Sequence, residues 1–283
     1  MSRAIFLTMY YDKKIVNTNL ELFYNIQCGK KESNIDLEMV GDDSGDNISH
    51  KNKHWSEITG NYWFYKNFKD LKKYDYVGLN SYRRLFRFKF NRVNPVHFST
   101  LEEVEGLLHS YSDFQVEKLM KDCDVITPIP YTYKSSIWEI CKKNYNENDF
   151  LVLRGVVAEK YPDYLSEFDI FFFKNNKMIG HNMFVMRTDD FIDFCDWVFD
   201  ILFEVERRID PRYYNSQMIR VFGYMHELLL HIYIEKNMSK ILRSQICFAD
   251  EKLKGIKFNS SLYRFLCSVI FSISSGFSWG KKL

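Results

Sequence analysis

The 283-residue sequence lacks the features that mark several special classes of protein. Its six cysteines are dispersed and include no C-x-x-C pair, so neither a disulfide framework nor a zinc site is predicted, and reduced, buried thiols are expected. The N-terminus runs directly into a predicted strand without a signal-peptide pattern. No apolar run reaches the length of a membrane span. These absences favour a cytoplasmic protein.

The chain also lacks a large excess of either charge. Its 39 Lys and Arg residues nearly balance 37 Asp and Glu residues, and a net charge of +2 argues against a nucleic-acid partner. Basic residues do concentrate in one short stretch, called the basic strip here. It consists of Arg83, Arg84, Arg87, Lys89 and Arg92.

Strand patterns alternate with helix patterns along most of the chain. Short apolar runs predict strands at residues 4–8, 22–27, 76–79, 123–128 and 183–186. Helical spacing predicts helices at residues 55–67, about 99–109, 148–160, 189–209 and 215–237. This alternation indicates an α/β fold with a mainly parallel central sheet flanked by helices. Neither a repeat nor a flexible linker is found, so one domain is predicted over residues 1–245.

Helix caps give these boundaries some precision. Ser99 with Glu102, and Ser136 with Glu139, have the spacing of capping boxes. Asn52 is the predicted cap of the helix at residues 55–67.

Residues 246–283 are predicted to form an amphipathic tail. Its stretch SLYRFLCSVIFSISSGF is apolar but interrupted by serines, and Trp279, Lys281 and Lys282 follow. The stretch is too short and too polar to span a bilayer. We expect it to lie in the membrane interface at the inner face of the cell membrane, with Trp and Lys among the headgroups. The alternative is a helix packed on the domain.

The stretch DYVGLNSYRR, residues 75–84, combines a buried strand with a cationic end. In α/β proteins, ligands bind at the carboxyl edge of the sheet, where such a strand ends. Arg83 and Arg84 suit a diphosphate because guanidinium groups bind phosphate oxygens in pairs. The alternative is a surface turn with two solvated arginines.

An acidic, turn-rich segment precedes that strand. Asp42, Ser44 and Asp46 have the one-three-five spacing of a calcium loop. Asn47 and Lys53 stand where an EF-hand needs Gly and Glu, so an EF-hand is rejected.

Five blocks of sequence occur in an order that resembles one family. They are DDSGDNISHKN, EITGNYWFYKN, DYVGLNSYRR, HNMFVMRTDDFIDFCDWVFDIL and RVFGYMHELLLHIYI. Together they look like the capsular and exopolysaccharide-synthesis glycosyltransferase family, long catalogued as a domain of unknown function. Some members of that family are described as galactofuranosyltransferases. The resemblance implies a GT-A-like fold and transfer of a hexose, with galactofuranose a candidate, from a UDP-sugar to a lipid-linked saccharide in capsule, exopolysaccharide or O-antigen synthesis.

The sequence departs from the family pattern at three places. Ser81 stands where the family usually has His, and Leu228 stands where it usually has Arg. The first strand continues Thr-Met-Tyr from Thr8, where Thr-His-Lys is common. These departures favour an alternative, a non-catalytic nucleotide-sugar-binding or scaffold protein on a degenerate transferase fold. A phosphosugar or nucleotide-sugar enzyme of another reaction type is a further alternative.

Glycosyl transfer has to stabilise a leaving nucleoside diphosphate and to deprotonate an acceptor hydroxyl. No Asp-x-Asp metal motif follows the strand at residues 76–79, so Arg83 and Arg84 are predicted to supply the positive charge, with Tyr82 donating a hydrogen bond. The alternative is a divalent metal on a separate loop, with the ligands Asp42, Asp43 and Asp46.

Glu227 is the predicted general base, with a solvated glutamate as the alternative, and His226 is the second choice. Glu57 and Lys66 are expected to orient the helix that carries them, or to take part in binding. Asn182 is predicted to bind sugar hydroxyls, with a turn at a strand edge as the alternative. The nucleotide is predicted to contact Asn47, Ser49, Lys51 and Asn52, for which helix capping and a solvated face are the alternative. The remaining predicted donor contacts are Thr8 and Asp43.

Overall fold

A mixed sheet forms the centre of the molecule in the computed structural model, which describes residues 2–11, 21–90, 94–215, 218–249 and 259–279. The described residues form a ten-stranded sheet and a separate pair, β8 with β9. The strands are β1 (Ala4–Tyr10), β2 (Phe23–Gln27), β3 (Val40–Gly41), β4 (Tyr76–Ser81), β5 (Arg84–Phe86), β6 (Val96–Ser99), β7 (Val125–Pro128), β8 (Tyr131–Thr132), β9 (Lys177–Met178), β10 (Phe184–Arg187), β11 (Ile241–Ser244) and β12 (Ile246–Ala249).

The main path of the sheet runs β11-β7-β10-β4-β1-β2-β3. Neighbouring strands on this path are parallel, except that β10 is antiparallel to both β4 and β7. Thr8 of β1 lies opposite Asn80 of β4, and Met9 lies opposite Ser81, so both strands end at one edge. The predicted α/β fold with a mostly parallel sheet is confirmed.

Strand β12 pairs with β5 and β6 and extends the same sheet. It lies beyond residue 245, where the sequence analysis places the start of the tail. The tail residues Lys281 and Lys282, like Arg92 of the basic strip, are outside the described residues.

Helices cover both faces of the sheet. They are α1 (Asn52–Trp55), α2 (Ile58–Asn67), α3 (Leu101–Leu108), α4 (Asp113–Met120), α5 (Ile137–Asn144), α6 (Glu147–Lys160), α7 (Leu165–Lys174), α8 (Thr188–Arg208), α9 (Val221–Asn237) and α10 (Ser261–Trp279). In the described part of the chain, none of them combines the length and the apolar character that crossing a membrane requires.

The side chains of β1 alternate between two hydrophobic cores, as a strand buried on both faces requires. Ile5, Leu7 and Met9 join a core that includes buried residues of α2, α6, α8 and α9. Ala4 and Phe6 join a second core that includes buried residues of α3 and α4. The six cysteines are buried and free, in agreement with the sequence analysis.

One predicted capping box is wrong by one residue. Ser99 is the last residue of β6, and the cap of α3 is Thr100, whose side chain accepts a hydrogen bond from the N–H of Glu103. The carboxylate of Glu103 in turn accepts from the N–H of Thr100 at 3.0 Å. The Ser136 cap of α5 is confirmed.

The predicted helix at residues 55–67 is interrupted near its start. Helix α1 ends at Trp55, Ser56 has a φ of 55°, and α2 begins at Ile58. The prediction that Asn52 caps this helix is wrong, because Asn52 lies inside α1. Its side chain instead donates to the Ser56 carbonyl at 2.7 Å and to the Thr59 hydroxyl at 3.0 Å, which connects the two short helices.

The contact between Gly78 of β4 and Phe6 of β1 leaves no room for a side chain. A Cβ at position 78 would overlap the Phe6 ring. We therefore expect Gly78→Ala to lower the free energy of unfolding by about 1–3 kcal/mol through overpacking, measured by urea denaturation. Gly155→Ala is the matched control, because a Cβ at that helical position meets nothing within 4 Å. A Gly78→Ala protein as stable as wild type would contradict this packing.

Candidate functional site

A cavity of about 780 Å³ opens at the edge of the sheet where β1 and β4 end. Met9 and Tyr10 of β1 line it, together with Ser81, Tyr82 and the arginines that follow. Asn52, the first residue of α1, lines another side of the cavity. This is the position at which open α/β sheets bind their ligands.

Buried polar atoms gather at this edge without partners among the described residues. They are the Thr8 hydroxyl, both amide atoms of Asn80, the Ser81 hydroxyl, and the Nε atoms of Arg83 and Arg84. A buried polar atom without a hydrogen bond costs about 1–3 kcal/mol, so such atoms are uncommon in native proteins. Of these residues, Ser81, Arg83 and Arg84 line the cavity, where a polar ligand would supply the missing partners.

The two arginines lie against the same aromatic ring. Each guanidinium carbon is 5.0 Å from the centre of the Phe248 ring on β12, and that of Arg83 is 5.3 Å from the ring of Tyr82. In the described part of the chain, neither arginine forms an ion pair with a carboxylate. Burial lowers the pKa of Arg84, the charge of Glu57 opposes this, and the charge of Arg83 adds to it. Two guanidinium groups without a carboxylate partner are suited to binding an anion.

Two carboxylates lie close enough to Arg84 for their charges to act on its pKa. Glu57 lines the cavity, whereas Glu227, partly buried on α9, is not among the lining residues. Glu227 accepts a hydrogen bond from the backbone N–H of His181. Burial raises the pKa of Glu227 to about 7, although this hydrogen bond and the charge of Arg84 act in the other direction. A carboxyl group with a pKa near neutrality is suited to proton transfer.

A series of hydrogen bonds connects Glu57 to buried side chains in the interior. The Asn182 side chain donates to Glu57 at 3.1 Å, and its oxygen lies 2.8 Å from Nδ1 of His226. Nε2 of His226 lies 3.3 Å from the Asn61 side-chain nitrogen. Burial lowers the pKa of His226 to about 3, so its ring is neutral at neutral pH. Both ring nitrogens are therefore used within this series, which connects His226 to the cavity through Asn182 and Glu57.

An unusual backbone turn holds these partners in place. His181 and Asn182 have φ values of 75° and 52°, in the left-handed region that residues other than glycine seldom adopt. The turn directs the His181 N–H at Glu227, while the His181 ring bonds the Tyr131 hydroxyl. A Cβ on Gly180 would lie 2.9 Å from the Tyr131 ring, so this position favours glycine.

The structure brings some of the predicted donor contacts together. Asn52, Tyr82, Arg83 and Arg84 line the cavity. Thr8, which precedes the cavity residue Met9 on β1, is not among the lining residues. Asn182 reaches the cavity through Glu57.

Four other predicted contacts are outside the cavity lining and form bonds elsewhere or face solvent. Ser49 donates to Asp42 at 2.5 Å, and Lys51 forms an ion pair with Glu206 of α8 at 2.5 Å. Asn47 bonds backbone groups of its own turn, and Asp43 is exposed.

The alternative metal ligands do not converge on one point. The oxygens of buried Asp42 accept hydrogen bonds from the N–H groups of Gly29 and Lys30, at 2.9 and 3.1 Å, while Asp43 and Asp46 are exposed. Among the described residues there is no group of three or more His, Cys, Asp or Glu side chains placed to hold a metal ion. These three aspartates therefore do not fit a metal site.

Arg220 is a cavity residue that the sequence analysis did not assign to binding. It lies just before α9, seven residues before Glu227, and adds a third guanidinium to the cavity lining. A spacing of seven residues places two side chains on the same side of a helix. This spacing is the sequence pattern that could have linked Arg220 to Glu227.

Comparisons with known proteins show what this fold is similar to. The solved structure of the WbbM bifunctional glycosyltransferase is similar, with 27% sequence identity and a TM-score of 0.79 over 88% of this chain. The match covers 46% of that protein, so this chain spans less than half of its length. No curated protein sequence matches the chain. The chain belongs to the DUF4422 family, described as a domain of unknown function, whose model matches residues 6–238. The predicted family is confirmed.

Proposed function

We propose that this protein is a glycosyltransferase that binds a nucleotide-sugar donor in the cavity at the ends of β1 and β4. The observation that carries the proposal is the pair Arg83 and Arg84, which line the cavity and have no carboxylate partner among the described residues. The charge of Arg84 also acts on Glu227, a carboxyl group whose pKa is about 7. The similarity to a glycosyltransferase structure at 27% identity supports the same reaction class.

The donor in this proposal is a UDP-sugar whose diphosphate binds the two guanidinium groups. Stacking on Phe248 holds both groups in place before the donor arrives, so little side-chain freedom is lost on binding. Tyr82 lines the same wall and is placed to donate a hydrogen bond to the diphosphate. The hexose, for which the family resemblance suggests galactofuranose as one candidate, then lies towards Glu57.

Transfer requires one proton movement and one exchange of bonds. Glu227 accepts the proton of an acceptor hydroxyl, and the hydroxyl oxygen forms a bond to the anomeric carbon of the sugar. The bond between that carbon and the diphosphate oxygen breaks, and UDP leaves with its additional negative charge on Arg83 and Arg84. A positive pair fixed at the leaving group stabilises the transition state more than the ground state.

The acceptor in this proposal is a lipid-linked saccharide in capsule, exopolysaccharide or O-antigen synthesis. This part rests on the family resemblance.

Release of UDP from UDP-sugars tests the reaction class. We expect the purified protein to release UDP from at least one of UDP-galactofuranose, UDP-galactose and UDP-glucose, and a saccharide acceptor should accelerate the release. Tight UDP binding without release from any donor, with or without acceptor, would contradict the enzyme and favour the non-catalytic alternative. Ser81, whose buried hydroxyl has no partner among the described residues, is the position that such a loss of activity would implicate first.

A further inference from the structure

Helix α10 packs on the domain with its more polar side. Cys267 is its one fully buried residue among those whose side chains are described, and Arg264, Ser268, Phe271 and Ser275 are partly buried. These positions recur every three or four residues and so form one face of the helix.

The opposite side of α10, called the outward face here, is apolar and exposed. Its residues are Leu262, Phe265, Leu266, Val269, Ile270 and Ile273, whose exposed fractions range from 40% to 67%. At 3.6 residues per turn they cover about 140° of the helix circumference. A surface helix of a globular domain normally turns its apolar stripe to the core, so this polarity is reversed. A contiguous exposed apolar surface of this kind marks an interaction site.

The start of α10 is fixed, which determines the direction of the outward face. The Asn259 side chain accepts from the Thr132 N–H at 3.1 Å and donates to the Thr132 carbonyl at 2.9 Å. One turn into the helix, Arg264 donates to the Thr132 hydroxyl at 3.3 Å.

We propose that the outward face of α10 docks on an anionic lipid bilayer. The apolar side chains enter the boundary between headgroups and acyl chains. The charges in this part of the sequence favour an anionic bilayer over a second copy of the chain. Helix α10 has no acidic residue that would repel anionic headgroups, and Lys281 and Lys282 follow it in the sequence. This surface is separate from the donor cavity, so the inference does not depend on the proposed reaction.

Vesicle flotation with the full chain tests the apolar part. We expect wild type to float with vesicles of phosphatidylcholine and phosphatidylglycerol, and Leu266→Ser with Ile273→Ser to lower the partition coefficient about tenfold or more. Phe114→Ser is the matched control, because Phe114 is 62% exposed but lies on α4. Unchanged far-ultraviolet circular dichroism and unchanged urea midpoints would show that all variants are folded.

A second vesicle composition tests the charge. Wild type is expected to bind pure phosphatidylcholine vesicles about fivefold or more weakly than the anionic vesicles. Wild type that fails to float with either vesicle, or a Leu266→Ser, Ile273→Ser protein that floats like wild type, would overturn the inference. A wild-type dimer that dissociates in that double variant, without vesicle binding, would assign the face to a second copy.

Discussion

Replacing Glu227 with Gln is expected to lower kcat for sugar transfer by about 100- to 10,000-fold, the range typical of a lost general base. The amide keeps the shape of the side chain but cannot accept the proton of the acceptor hydroxyl. The dissociation constant of UDP should change little, because the diphosphate contacts belong to Arg83 and Arg84. Steady-state kinetics combined with a UDP titration would measure both quantities.

Glu235→Gln is the matched control for this substitution. Glu235 lies eight residues further along α9, is exposed and is outside the donor cavity. Its loss should leave kcat within a factor of about two, as for a surface substitution. A Glu227→Gln enzyme with wild-type kcat would remove Glu227 as the base.

The pH dependence of the wild-type rate follows from the same carboxyl group. Only ionised Glu227 accepts a proton, and burial raises its pKa to about 7. The rate should therefore fall about tenfold per pH unit as the pH drops below about 7 and reach a plateau above it. A rate that stays constant from about pH 5.5 to about pH 8 would contradict this role.

Replacing Arg84 with Ala should weaken UDP binding about 10- to 100-fold, because a hydrogen bond to a charged group contributes about 1.5–3 kcal/mol. Arg83→Ala is expected to have an effect of the same order, since both guanidinium groups lie equally close to Phe248. Uridine, which has no phosphate, should bind both variants with wild-type affinity. Calorimetric titration with each ligand separates the diphosphate contact from the rest of the cavity.

Lys89→Ala provides the control for general electrostatic attraction. Lys89 is an exposed residue of the basic strip and does not line the donor cavity. If the strip acted only through its net charge, this variant would lose as much UDP affinity as Arg84→Ala. Equal losses of UDP affinity in the Lys89 and Arg84 variants would contradict a direct contact between the arginines and the diphosphate. A loss of affinity confined to the two arginine variants would support that contact.

The edge of the sheet was predictable because its determinants are local. An apolar run followed by two arginines specifies both a buried strand and a cationic end, and the structure places Arg83 and Arg84 in the cavity lining. The stacking of both groups on Phe248 was not predictable, because β12 pairs with β5 from a distant part of the chain.

The support of Glu57 depends on contacts that no local pattern reveals. Asn182 is 125 residues from Glu57 along the chain, and both residues are also compatible with ordinary turn and helix positions. Lys51 shows the converse case. Its place in a turn before a helix suggested a nucleotide contact. Instead, Lys51 forms an ion pair with Glu206 of α8, which is 155 residues away along the chain.

The error in the cap of α3 has a similar origin. Ser99 with Glu102 and Thr100 with Glu103 satisfy the same sequence pattern, so the pattern alone does not choose between them. Pairing of β6 with β12 extends the strand through Ser99, which leaves Thr100 as the first residue free to cap the helix.

The central claim is that the cavity binds a nucleotide-sugar donor through Arg83 and Arg84. Calorimetric titration of the wild-type protein with UDP, in EDTA and then in magnesium or manganese, tests this claim most directly. The paired arginines predict that UDP binds in EDTA and that the Arg83→Ala, Arg84→Ala double variant loses this binding. Absence of UDP binding under all these conditions would contradict a nucleotide-sugar site in the cavity.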